Sequence, residues 1–334
     1  MGNTDVVGNS SLSELLVHDF WGQDIRLPDS HKSYRPVTTL SYRLNHRLHG
    51  LNSAGFHGTN IALYTVVAML VYMLALQLIS EDGAIVAAIL FTVHPVHVEA
   101  VTSLVGRADV LSGLFFVLGC LSHLSALEGS RTTMQCFTLV ILGSVCATLS
   151  AFSKETGVTA FGVLIAIDCI SISSAAVVSL NKVMRKLLWD VCHYCSTGIR
   201  LMTRLLFMSD EWVTAYLRRN RQQRFVLASY GELLISCVCA LTGFIFRTFL
   251  NLLLIVSILV LRFFINGNST NLYQWTVLEN QFSLIPDFKT RSLSYAQSHF
   301  WYALKLFYPI HMCFDYGYAC IPTIDKFFDF RFVQ

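Results

Sequence analysis

The stretch His94-Pro95-Val96-His97-Val98-Glu99-Ala100-Val101 runs straight into Thr102-Ser103-Leu104-Val105-Gly106-Arg107-Ala108-Asp109. It places two imidazoles, two carboxylates and a guanidinium in one turn between apolar runs that together are long enough to cross a bilayer. Titratable groups at the mouth of a membrane bundle are costly to keep, so they mark a site at which something polar is handled. That reading requires the flanking runs to be membrane helices, and the composition agrees. Of the 334 residues 54% are hydrophobic and 13% charged, with a mean hydropathy of +0.54, against roughly 25% charged in soluble domains. The expected fold is all-α, a polytopic membrane helix bundle.

Outward from the turn, uncharged or nearly uncharged runs predict helices at about Asn60–Ile79, Ala84–Val93, Val110–Leu127, Met134–Phe152, Val158–Ser179 and Cys239–Leu261. A weaker aromatic run lies near Tyr295–Cys313. Pro95 suits the first turn of a short helix, where its missing N–H would have had no partner. Ser153-Lys154-Glu155-Thr156-Gly157 and the Gly-Ser-Arg-Thr-Thr around Arg131 are short connections. Neither a basic n-region nor an apolar h-region precedes the polar N-terminal stretch, so no signal peptide is expected. The ten cysteines lack the dense spacing of a disulfide framework.

Orientation follows from one basic segment. Between Asn181 and Arg224 nine Lys and Arg residues stand against Asp190, Asp210 and Glu211, so the positive-inside rule makes this loop cytosolic. The expected organisation is then a lumenal segment at 1–59 and membrane helices at 60–180 with lumenal motif turns at 94–109 and 153–157. A basic cytosolic loop follows at 181–225, then membrane helices at 226–334 with a lumenal loop at 262–298, and no repeat domain. Both N-glycosylation sequons, at Asn9 and Asn268, fall on the lumenal side. The basic loop also reads as a stretch lying on anionic headgroups. Cys192-His193-Tyr194-Cys195 within it has no second pair at zinc-finger distance.

Four polar groups therefore converge on one membrane face. Asp19-Phe20-Trp21-Gly22 and Ser30-His31-Lys32-Ser33-Tyr34-Arg35-Pro36 offer rings to stack on a sugar and cations to hold a phosphate, or equally the Trp, Tyr, Lys and Arg of an interfacial loop. His94 and His97, three apart, are not at the zinc-protease spacing, and Glu99 lies well round the helix from both, so metal is not expected. Arg107 carries a fork suited to two phosphate oxygens, while Asp109 is a natural cap for the next helix. Lys154-Glu155 is either a snorkelling pair or a second phosphate contact. Phe314-Asp315 with Cys320-Ile321-Pro322 forms the fourth group, in which Cys313 and Cys320 could pair. Nothing in the chain is arranged for nucleic acid, and no paired half-chain repeat suggests a transporter.

Taken together, Asp19-Phe20-Trp21-Gly22, Ser30–Pro36, His94–Val101 with Val105–Asp109, Ser153–Gly157, Phe314-Asp315 and Cys320-Ile321-Pro322 occur in an order and spacing that resembles the transmembrane and tetratricopeptide-repeat O-mannosyltransferases over nearly the whole chain. The resemblance implies a glycosyltransferase type C bundle in the endoplasmic reticulum membrane. It also implies transfer of mannose from dolichyl phosphate mannose to Ser or Thr of folding secretory or membrane proteins, cadherins in particular, without a metal or other cofactor. It carries donor binding to His31, Arg35, His94, His97, Glu99, Arg107, Lys154 and Glu155, and acceptor or sugar contact to Asp19, Trp21 and Tyr34. The family's acidic pair falls at or ahead of Met1, which leaves Asp5 as the nearest acid for the catalytic base. The chain stops at Gln334 ahead of further membrane helices and of the helical repeats, so the alternative expectation is a truncated, inactive scaffold of the same family.

Overall fold

The computed structural model describes residues 3–128, 131–173, 211–267, 280–310, 312 and 320–326. The main helices are α1 (Pro36–His49), α2 (Ser53–Leu78), α3 (Glu81–Val93), α4 (Arg107–Ala126), α5 (Thr133–Ser153), α6 (159–173), α7 (Glu211–Ile265) and α8 (Phe288–Phe307). Short turns of helix fill the gaps, at Thr4–Val7, Leu12–Leu15, Pro95–His97, Val98–Thr102, Glu155–Val158 and Gln281–Leu284. Among the described residues there is no strand, only a single bridge between His18 and Asp24.

Five helical segments are long and apolar enough to cross a membrane: Ser53–Leu78, Arg107–Ala126, Thr133–Ser153, Glu155–Ser173 and Val238–Ile265. The pair Glu81–Val93 and Pro95–Thr102 would be a sixth, bent by 47° at His94. The chain is a multi-pass membrane protein. The aromatic run expected near Tyr295–Cys313 falls partly on α8, Phe288–Phe307, which is more polar than these five helices. Helix α7 also begins at Glu211, inside the stretch read as a cytosolic loop. Residues 174–210, with Cys192 and Cys195, lie outside the described residues, as do Asn268, Cys313, Phe314 and Asp315.

The chain forms two compact units, Met1–Phe161 with Leu254–Gln334, and Gly162–Leu253. In the first, α4 packs along α5 through small residues. A Cβ on Gly119 would stand 3.3 Å from the carbonyl of Gly143, and one on Gly143 3.2 Å from that of Gly119. One turn region further on, the Ser150 hydroxyl donates to the Ser112 carbonyl at 2.9 Å and lies 3.0 Å from the Ser112 hydroxyl. Lipid tails are as apolar as Leu, so helices in a membrane associate by such close approach and by hydrogen bonds rather than by burying Leu. Large side chains accordingly point outward, as Met69, Met73, Ile89 and Leu90 do. The second unit holds an ion pair at membrane depth: Arg247 Nε donates to the fully buried Asp168 at 2.6 Å.

The polar N-terminal segment closes over one end of the first unit. Asn52 caps α2 and Pro36 opens α1, while Phe20, Tyr42 and Phe56 form a small apolar cluster between the segment and the two helices. Asp19 is the hub of the loop above that cluster. Its buried carboxylate accepts from the backbone of Trp21, Gln23 and His31 and from the Ser30 hydroxyl, at 2.6–3.2 Å.

Candidate functional site

Three short connections meet where α1, α4 and α5 have their polar ends. Arg35, at the start of α1, reaches Glu155 through Nε at 2.9 Å and through a terminal nitrogen at 2.8 Å. The other oxygen of Glu155 receives Arg262, near the end of α7, at 3.3 Å. Next to Glu155 in the chain, Lys154 binds both oxygens of Asp109 at 2.6 and 2.7 Å. The Thr38 hydroxyl donates to the Ser153 carbonyl at 2.7 Å and ties α1 to this turn. Gly157 permits the turn itself, because a Cβ there would lie 2.2 Å from the Ser150 carbonyl oxygen. Three cations against two carboxylates leave one positive charge in excess. Every one of the five side chains keeps part of its surface open to solvent, from 18% for Arg35 to 39% for Asp109. The Arg35 guanidinium also rests on the Phe20 ring, 5.1 Å from its centroid. Such an arrangement holds cations rigidly without fully neutralising them, which is what a bound phosphate requires.

Arg107 is placed elsewhere. Its side chain is wholly buried between α1 and α2, where Nε donates to Asn60 at 2.6 Å and one terminal nitrogen donates to Asn45 at 2.7 Å and to the Phe56 carbonyl at 2.8 Å. The guanidinium lies 4.6 Å from the Tyr42 ring centre and 5.5 Å from that of Phe56. Burial pushes the Tyr42 phenol up to about 12, against the pull of Arg107, and its hydroxyl donates to the Leu104 carbonyl. Carbonyl and amide oxygens with two ring faces therefore take up the guanidinium inside the bundle. Asp109 likewise does not cap α4, whose cap position is Gly106; its carboxylate belongs to Lys154.

The central turn splits in the same manner. His94 Nδ1 accepts from the Val96 N–H at 3.2 Å and closes the turn, while Nε2 donates to the Leu306 carbonyl at 3.1 Å and fastens it to the end of α8. His97 packs against Phe91, with ring centres 4.3 Å apart, and against Tyr64 at 5.6 Å. Glu99 stands exposed on the short helix Val98–Thr102. Among the described residues no group of three or more His, Cys, Asp or Glu is spaced to hold a metal ion.

Of the loop residues, Trp21 is 52% exposed, with its ring 6.2 Å from that of the exposed His31. Tyr34 is buried against Phe152, its hydroxyl donating to the Leu16 carbonyl at 3.0 Å, and Asp19 has its acceptor sites filled by the loop. Both hold the shape of the loop. Asp5 is fully buried; its carboxylate takes the Ser10 hydroxyl at 2.5 Å and His18 Nδ1 at 3.0 Å, and Arg43 donates to its backbone carbonyl. A carboxylate on Nδ1 orients an imidazole so that Nε2 is the nitrogen that exchanges protons. The first sequon's Asn9 is exposed beside this pair.

Residues 269–334 match the family model "Protein O-mannosyl-transferase TMTC, DUF1736". Over 99% of its length the chain is 30% identical to Protein O-mannosyl-transferase TMTC1 of Mus musculus, covering 38% of that protein. It is 28% identical to Protein O-mannosyl-transferase TMTC4 of Homo sapiens, over 100% of the chain and 41% of the relative. The chain is similar to the TMTC protein O-mannosyl-transferases.

No solved structure matches it, and the chain spans about two fifths of the length of these curated relatives. Of the donor residues carried over from the family pattern, Arg35, Lys154 and Glu155 are brought together. His31 lies on the loop with Trp21, while His94 reaches α8, His97 packs against Phe91 and Tyr64, and Glu99 is exposed. Arg262, the third cation of the cluster, was not singled out from the sequence, although an arginine closing a long apolar run is a visible signal. Asn45 and Asn60, which hold Arg107, carried no sequence signal beyond being polar near helix ends.

Proposed function

We propose that this chain is the membrane part of a protein O-mannosyltransferase that uses dolichyl phosphate mannose, with its polar end in the lumen of the endoplasmic reticulum. The observation that supports the donor reading is the cluster of Arg35, Lys154 and Arg262 held by Glu155 and Asp109. In the reaction the oxygen of an acceptor Ser or Thr hydroxyl bonds to C1 of the hexose. The bond from C1 to the phosphate oxygen breaks, and its electron pair leaves with dolichyl phosphate. The hydroxyl proton passes to a general base, for which the Asp5-oriented imidazole of His18 is the arrangement that the described residues offer. Charge grows on the phosphate as the sugar departs. Cations already fixed by Glu155 and Asp109 stabilise that charge without having to reorganise, an effect of roughly 3 kcal/mol for one well-placed donor. Acceptors are folding secretory or membrane proteins of the cadherin kind.

The test is transfer of hexose to Ser or Thr peptides by the full-length protein in cells or liposomes lacking related activity. Arg35→Ala and Arg262→Ala are each expected to lower turnover by about 100-fold, with partial recovery for Lys at either position. His18→Gln should lower kcat while leaving the donor KM in place. A full-length protein that transfers no hexose from any dolichyl phosphate donor would overturn the reading in favour of a non-catalytic scaffold.

A further inference from the structure

Helix α8 is inverted relative to a helix on a soluble protein. Its buried residues are Ser294, Gln297 and Ser298, on one face at spacings of three and four, while Phe288, Phe300, Tyr302, Leu306 and Phe307 are exposed. The apolar side suits lipid. The polar side needs partners, and most of its neighbours have them. Ser294 Oγ accepts from the Ile324 N–H at 3.1 Å, and Tyr295 exchanges a hydrogen bond with Asn280 at 3.1 Å.

Gln297 has none. Its side chain is fully buried, and neither its amide oxygen nor its amide nitrogen has a hydrogen-bond partner. The other buried amides at this end of the bundle are treated differently: Asn60 accepts from Arg107 and donates to the Ser103 carbonyl, and Asn45 accepts from Arg107 and pairs with His49. A buried amide left without partners carries its full desolvation cost, so a polar group that paired with it would recover that cost. The amide is neutral, with two donors and an acceptor side by side, and serine side chains lie on the same face. Those groups complement hydroxyls. They offer a phosphate no charge, unlike the cluster around Glu155.

We propose that Gln297 is a substrate-binding and specificity residue that hydrogen-bonds a hydroxyl-bearing neutral group of the substrates, either the hexose of the lipid-linked donor or the hydroxyl residue of the acceptor. The proposal rests on the transferase reading above. It extends the site from the charged cluster to α8, whose far end is already fastened to the central turn by His94. A site built to pair a hydroxyl rejects the analogue that lacks it far more strongly than an apolar pocket could.

The experiment is steady-state kinetics of the full-length protein in liposomes with dolichyl phosphate mannose and a Ser/Thr peptide, for the wild type and Gln297→Leu, alongside thermal unfolding without substrate. Leu removes the unpaired amide at similar volume, so Tm is expected to stay or rise. KM for one substrate is expected to increase about 10-fold or more: a rise for the donor assigns the contact to the hexose, a rise for the peptide assigns it to the acceptor. Deoxy-hexose donors, or a peptide in which Ala replaces the acceptor residue, used as inhibitors should then no longer be discriminated by the variant. If KM for both substrates is unchanged, the proposal falls whatever happens to Tm, and Gln297 is a structural residue satisfied by internal water. If Gln297→Leu does not fold, Gln297→Met carries the same measurements. A wild type without any transfer overturns the transferase reading itself, and is distinguished from these outcomes because it appears before any variant is compared.

Discussion

At the scale of single residues, the two guanidiniums that the sequence makes look alike have opposite fates. Arg35 lies in a partly open cluster and Arg107 inside the bundle, and only their neighbours tell them apart. Substituting Arg107 by Ala leaves Asn45, Asn60 and the Phe56 carbonyl without their donor and a cavity between two rings, so a loss of about 3 kcal/mol or more is expected. Arg107→Lys should recover little, because one ammonium cannot reach acceptors spread over two helices or lie flat on Tyr42. Thermal unfolding of the purified protein in detergent checks both, and an Arg107→Ala protein of normal Tm but lost turnover would return Arg107 to the donor site. Glu155→Gln makes the complementary case. It removes the anion that both Arg35 and Arg262 share, so folding should suffer less than donor KM, which the same kinetic assay reads.

At the scale of elements, the contact of α4 with α5 depends on two glycines and a serine pair. Gly119→Val or Gly143→Val would drive methyl groups into a facing carbonyl at little over 3 Å and push the helices apart. The expected result is loss of folded protein, seen as aggregation in size-exclusion chromatography, whereas the same change at Gly113, where a Cβ meets nothing within 4 Å, should be tolerated. Helix α8 is held at its start by Asp287, which accepts from the Thr290 N–H at 2.8 Å and its hydroxyl at 2.6 Å. Those hydrogen bonds hold the carboxyl below its ordinary 3.8. The sign follows: stability from the cap is fully present above 3.8 and is lost as pH falls through the lower folded value. Hydrogen exchange at Thr290 and Arg291 should therefore speed up in that acid window, and Asp287→Asn should remove the pH dependence while keeping much of the cap.

At the scale of the whole molecule, the compartment of the charged cluster decides whether it can meet a lumenal donor. Cysteine labelling from outside intact microsomes is expected to reach Cys192 and Cys195 and not Cys320; labelling of Cys320 would put the cluster in the cytosol and end the transferase proposal. Much of this organisation was legible in the residues. Runs free of charge had to become helices, because in hydrocarbon a backbone can satisfy its hydrogen bonds only within itself. The spans at Ser53–Leu78, Arg107–Ala126, Thr133–Ser153 and Val238–Ile265 accordingly match their sequence limits to within a turn or two. Lys154 and Glu155 were visible as charges that a membrane helix would not carry without a use. In α8 the aromatic content hides a polar stripe that only a known buried face reveals. What the chain by itself determined was thus which residues are helical, which helices meet lipid and which few charges sit at their ends. Whether a given charge is a ligand contact or a strut depends on what surrounds it in three dimensions. Tertiary packing removed Arg107, Asp19 and Tyr34 from water and filled their hydrogen bonds, while Gln297 was buried with its bonds unfilled, and solvation and pairing of that kind are properties of a position in the fold rather than of a residue type.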